Sequence, residues 1–168
     1  MCFHSSRFDA RQSAKGELIL YEEQNEMLWD KDLISQGIHF LNLSASGDEL
    51  STYHLGGKIS YCHCTKEDTK EKWDEILQLY NQLLIVNYSP AAALNRTFAL
   101  YKVNGAELAL FEAEKLRLEN NHFYYILLGE LYINIDKNKA IACFEKSKAL
   151  AKTPKEQQLI EKKIQNLY

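Results

Sequence analysis

Only two prolines occur in the chain, and each follows a hydroxyl-bearing residue, at Ser89-Pro90 and Thr153-Pro154. A hydroxyl at the cap and proline at the first turn mark a helix start. Elsewhere little forces the backbone to turn, because 168 residues hold just seven glycines besides these prolines. That scarcity favours long helices over a turn-rich sandwich. Hydrophobic residues make up 46% and charged residues 26%, a balance that folds rather than staying disordered.

The apolar spacing divides the chain into helices. Met1–Gln12 reads as one or two helical turns, stopped at Lys15-Gly16. GELILYEEQ then reads as a buried extended segment, followed by an acidic cluster (Glu22, Glu23, Glu26) and the anchors Met27, Leu28 and Trp29. Asp30 or Asp32 begins a helix to about Leu43, with Leu33, Ile34, Ile38, Phe40 and Leu41 as its stripe. Asp48 is the expected cap of a helix towards Cys64 that buries Leu50, Tyr53, Leu55, Ile59 and Tyr61. Gly56 and Gly57 within it mark a close crossing or a kink. After the charged joint TKEDTKEK, amphipathic helices are expected from Trp73 to Val86, from Ser89-Pro90 to Val103, and over GAELALFEAEKLRL, HFYYILLGELYI, IDKNKAIACFEKSKALA and TPKEQQLIEKKIQNL.

A shift of 34 residues pairs Leu94 with Leu128, Phe98 with Tyr132, Ala106 with Ala140, Leu110 with Phe144 and Ala113 with Ser147. A 34-residue period of two helices resembles the tetratricopeptide pattern. The same shift fits 72–88 only partly. The expected fold is therefore all-α: an antiparallel helical array with tetratricopeptide-like repeats and a right-handed superhelical tendency. It is expected as one domain over 1–168, divided into a helical and extended segment (1–47), a glycine-containing helix and joint (48–71), and repeats with a capping helix (72–168). Tyr124, Tyr125 and Tyr132 fall on the expected seams.

Chemistry is sparse. Tyr61-Cys62-His63-Cys64 invites a metal reading, but Cys62 and Cys64 are two apart with His63 between, so on a helix they diverge. Core thiols, with His63 bonding a free carbonyl at a helix end, are the plainer reading. Cys2, Cys62, Cys64 and Cys143 form no C-x-x-C pair, as befits a reducing compartment. His4 beside Cys2 and Ser5 lacks a marked orienting carboxylate. A net charge of −3 and the lack of a basic recognition helix argue against direct DNA binding by this chain. No run is long enough to span a membrane and no signal-peptide pattern opens the chain. A cytoplasmic location is expected by exclusion, with no catalytic residue, cofactor or metal.

A series of short motifs runs in order along the chain: His4, Arg7, Ala10 and Arg11; Gly16-Glu17-Leu18; Glu23-Gln24-Asn25; Trp29; Leu33-Ile34; and Gly37. Tyr53-His54-Leu55, Cys62-His63, Leu79-Tyr80 and Ser89-Pro90 through Leu94-Asn95-Arg96 complete it. The series resembles the helical C-terminal region of a group of extracytoplasmic-function (ECF) sigma factors. Asn25 stands where that group usually has aspartate, and Gly56 and Gly57 where alanines are common. The resemblance implies an accessory domain of a bacterial transcription initiation factor. Its implied partners are the sigma region 2 and region 4 domains of a parent chain and, indirectly, the RNA polymerase core. The residues it singles out for interdomain or ligand contact are His4, Arg7, Arg11, Glu17, Glu23, Gln24, Trp29, His63, Asn95 and Arg96.

Two other readings compete. One is a stand-alone helical-repeat scaffold for a protein partner. The other is a small-molecule sensor or enzyme with a pocket around His4, Arg7, Glu17, Glu23 and Trp29. Under the sigma-like reading, MCFHSSRFDAR is the tail of a helix with an exposed apolar end at Met1 and Phe3. His4 and Arg7 are then buried anchors to the acidic segment 17–26.

Overall fold

The computed structural model describes residues 1–13, 19–45 and 51–168. The expected stop at Lys15-Gly16, the motif residues Gly16, Glu17 and Leu18, and the roles given to Asp48 and Leu50 lie outside the described residues. The described elements are all helical. Two compact units form, Met1–Tyr88 and Ser89–Tyr168. The segment borders read from the sequence at 47/48 and 71/72 both fall inside the first.

The first unit holds α1 (Cys2–Ser5), 3-10 turns at Asp9–Arg11, Tyr21–Glu23 and Glu26–Leu28, α2 (Lys31–Ser44), α3 (Thr52–Cys62) and α4 (Lys70–Val86). Asp30 caps α2, its carboxylate accepting from Leu33 N at 2.9 Å. Ser51 caps α3, one turn later than the expected start. Leu20 is extended, but Tyr21 already enters a 3-10 turn, so the buried extended segment is short.

Burial corrects several faces. α3 buries Leu55, Ile59 and Cys62, spaced i, i+4 and i+7, whereas Tyr53 is 91% exposed and Tyr61 points partly outward. The two tyrosines lie off that stripe. Phe40 is also exposed, and Gly37 is the fully buried residue of α2. Phe3 accounts for this: its ring lies where a β-carbon on Gly37 would be, 2.6 Å away. Phe3 is therefore core and not an apolar end, while Met1 is fully exposed. Of the anchors Met27, Leu28 and Trp29, only Trp29 is buried. Gly57 marks the close crossing, with Leu41 of α2 at 3.0 Å from its would-be β-carbon, whereas Gly56 faces open space.

The second unit is α5 (Pro90–Asn104), α6 (Ala106–Lys115), α7 (His122–Tyr132), α8 (Lys137–Leu150) and α9 (Pro154–Gln165). Consecutive helices pack on one another, and α5 also reaches α7. Ser89 and Thr153 cap α5 and α9 as expected, Thr153 within a reciprocal capping box with Glu156. One core gathers Leu94, Ala109, Ala113, Tyr124, Tyr125 and Leu128; another gathers Ala140, Phe144, Ala151, Ile160 and Ile164.

The single 34-residue register does not hold throughout. It matches the first helices, where Leu94 and Leu128 are both buried. In the second helices the fully buried pair Ala109 and Ala113 recurs 31 residues on, as Ala140 and Phe144. Ala106 and Leu110, the partners expected for these, are only half-buried. The cause is the joint. α5 runs to Asn104 and turns through Gly105 at φ 87°, whereas α7 stops at Tyr132.

Candidate functional site: a cation–aromatic cluster in the first unit

The segment 19–30 crosses the first unit as a strap of 3-10 turns, held by main-chain bonds to distant residues. Asp30 N donates to Ser6 O at 2.8 Å. The Lys66 ammonium donates to Glu22 O and Gln24 O at 2.9 and 2.6 Å. Tyr21 Oη donates to Thr65 O at 2.5 Å, and Lys72 Nζ reaches the same carbonyl at 2.6 Å and Tyr21 Oη at 3.1 Å. Trp73 Nε1 donates to the Asp68 carboxylate.

This clamping stacks rings and cations. Tyr21 lies over Trp29 with centroids 6.2 Å apart and meets His63 edge-on at 5.4 Å; His63 meets Trp73 at 6.0 Å. The Arg7 guanidinium sits 5.3 Å from the Tyr21 centroid and 5.8 Å from that of Trp29. Lys72 Nζ sits 5.3 Å from Tyr21 and 5.9 Å from Trp73. Such contacts are favourable because the ring face is electron-rich.

The electrostatics follow from burial among cations. Burial first, then Lys72 and Arg7, pushes His63 down to about 4, so it is neutral at pH 7. Burial pushes Tyr21 up to about 12 and Cys62 up to about 11, and also raises Cys64. These thiols therefore stay protonated and poorly nucleophilic at neutral pH. Burial lowers Lys72 as well. Arg7 Nε, Gln24 Oε1, Trp29 Nε1 and His63 Nδ1 are buried without a hydrogen-bond partner among the described residues.

Of the ten residues singled out from the sequence, Arg7, Gln24, Trp29 and His63 come together here. His63 is the C-cap residue of α3 and meets rings rather than bonding a carbonyl through Nδ1. Arg7 is buried, with its guanidinium over Tyr21 of the segment 17–26 and over Trp29. His4 is exposed and shares a 2.9 Å bond with Arg11, outside the cluster. Glu23 is exposed, and Glu17 lies outside the described residues. Among the described residues of the expected pocket, Arg7 and Trp29 are thus buried together while His4 and Glu23 are exposed. The groove of about 310 Å³ beside His4 runs between Phe3, Tyr53 and Gly56 and takes in none of the other three. In the second unit Asn95 is exposed, and Arg96 pairs with Glu112 at 3.5 Å.

Sequence reading missed Tyr21, Lys66, Lys72 and Trp73 as members of the cluster. Tyr21 hid in an apolar run, and the lysines hid in a charged joint more than 40 residues from the carbonyls that Lys66 binds. Among the described residues no group of three or more His, Cys, Asp or Glu could hold a metal ion. No described helix is long and apolar enough to cross a membrane.

Residues 1–45 match a family described as a "Family of unknown function (DUF6596)". That stretch contains Arg7, Tyr21, Gln24 and Trp29, four members of the cluster. The chain is also similar to an uncharacterized protein, R00370, of Rhizobium meliloti (strain 1021), with 30% identity over 166 residues and 96% of this chain. The match spans 39% of that relative's length. No solved structure matches.

Proposed function

We propose that this chain is a non-catalytic accessory domain of a bacterial extracytoplasmic-function sigma factor. It modulates promoter-dependent initiation through protein contacts, with the sigma region 2 and region 4 domains as direct partners and core polymerase as an indirect one. It works in the cytoplasm and leaves DNA contact to those partners. One observation supports the reading above others. Four residues of the sigma-like motif series, Arg7, Gln24, Trp29 and His63, are spread over 57 positions yet fold into one cluster. A series of chance matches would scatter.

In the same reading, α5–α6 and α7–α8 are two tetratricopeptide-like repeats with α9 as their cap. Gly129 against Phe144, and the fully buried Ala109 and Ala140, supply the small-against-large packing such pairs use. The exposed Asn95 and the half-exposed Arg96 then belong to a contact surface on α5.

Titration of the chain against isolated region 2 and region 4 domains, and against core polymerase, tests this. Saturable binding to either sigma domain is expected. Binding to none of the three sinks the reading.

A further inference from the structure

Arg7 is a charged side chain with only 7% of its surface exposed. Its guanidinium faces two aromatic rings, and its Nε has no hydrogen-bond partner among the described residues. After burial, the charge that bears most on it is a second guanidinium, Arg11, and not a carboxylate. Buried ions are ordinarily paired, because desolvation costs several kcal/mol per ion. Two ring contacts at about 0.5–2 kcal/mol each do not offset that. The cluster around Arg7 repeats the shortage. Trp29 is as deeply buried, and its Nε1–H lacks a partner among the described residues; the Gln24 amide oxygen, also without one, is an acceptor and takes no part in holding an anion. Neutral His63 adds an unpartnered Nδ1.

We infer that this cluster is a binding site for a single carboxylate, with the Arg7 guanidinium as its receptor and Trp29 Nε1–H as a second donor. A guanidinium fork and an indole N–H both donate and neither accepts, so the set calls for an oxyanion. A planar carboxylate matches the fork geometry of the guanidinium. Lys72 adds a second cation to the cluster, while the carboxylates of Asp68 and Glu26 bear on its Tyr21 and Lys72. The site stands independently of the transcription reading.

The test is a titration of the whole chain, followed by the two indole N–H signals in a proton–nitrogen spectrum, at constant ionic strength against sodium chloride. Acetate presents the carboxylate of an Asp or Glu side chain, and succinate that of a small dicarboxylic acid. The Trp29 indole signal is expected to move saturably with at least one of them, and the tighter of the two names the source. In Arg7→Lys, with its spectrum still folded, the midpoint rises by about tenfold or more. Trp29→Phe, read by calorimetry, weakens binding about threefold or more while the chain stays folded. Three results overturn the proposal: no saturable shift up to about 100 mM, an equal shift with chloride, or an unchanged midpoint in folded Arg7→Lys. A response that emerges only in Glu17→Gln also overturns it, because the chain would then fill the site itself.

Discussion

A β-carbon on Gly129 would lie 2.6 Å from Cε1 of Phe144, closer than real β-carbons come to any neighbour. Phe144 is fully buried between α7, α8 and α9, so its ring has nowhere to retreat. Gly129→Ala is expected to destabilise the second unit by about 1–3 kcal/mol despite alanine's better helix propensity. Gly56→Ala is the contrasting case. Among the described residues nothing lies within 4 Å of its would-be β-carbon, so propensity dominates, and about 1 kcal/mol of stabilisation is expected. Urea unfolding of both variants checks the pair. Equal effects at the two positions would refute the packing argument.

His63 makes stability depend on pH. Its folded value is pushed down to about 4 from an ordinary 6.5. Between these values the unfolded chain takes up a proton that the folded chain does not. The neutral ring is therefore without penalty above about pH 7, and stability falls as pH drops from 6.5 towards 4. The full loss is roughly 3 kcal/mol. Denaturation midpoints of wild type and His63→Asn across this window should diverge in slope. Parallel profiles would show that His63 titrates normally.

Thiol chemistry should separate the cysteines by burial. Cys62 and Cys64 are buried and their thiols pushed upward, whereas Cys2 is half-buried. At about pH 8 a disulfide reagent is expected to modify Cys2 readily and Cys62 and Cys64 only after unfolding. Peptide mapping after brief exposure reads this directly. Rapid modification of Cys62 in the folded chain would contradict the buried environment.

Lys66 holds the strap by donating to two main-chain carbonyls, Glu22 O and Gln24 O. Lys66→Met keeps the stem and removes both bonds, so a loss of about 1–3 kcal/mol is expected. Hydrogen exchange should accelerate over 21–29, while α7 and α8, in the second unit, keep their rates. Unchanged exchange in the strap would mean that the ammonium is not what fastens it.

The cap of α9 offers a local control. Thr153 Oγ1 accepts from Glu156 N, and the Glu156 carboxylate accepts from Thr153 N at 3.0 Å. Thr153→Ala is expected to cost about 1 kcal/mol. A thermal scan showing no change would indicate that Pro154 alone fixes this start.

Helix starts were legible from short range. Asp30, Ser89-Pro90 and Thr153-Pro154 act on backbone N–H groups two or three residues away, so the signal sits beside the helix it opens. Faces were less legible. Tyr53, Tyr61 and Phe40 are as apolar as their buried neighbours, and only the packing of α2 on α3 turned them outward. Four of the singled-out residues did meet in one cluster. Their partners stayed hidden because a lysine that binds carbonyls 42 and 44 positions away looks like any solvated lysine.

The sequence by itself determined an all-α fold and its main helix boundaries. Those are properties of caps, propensities and periodicity, which act within a turn or two. Tertiary structure decided the rest. It slipped the second-helix register from 34 to 31 residues through the length of one joint. It also placed Arg7 against Tyr21 and Trp29, because the strap is fixed by bonds from the far end of the unit. No local rule carries that information, since the environment of a buried charge is made by residues that become neighbours only when the chain folds.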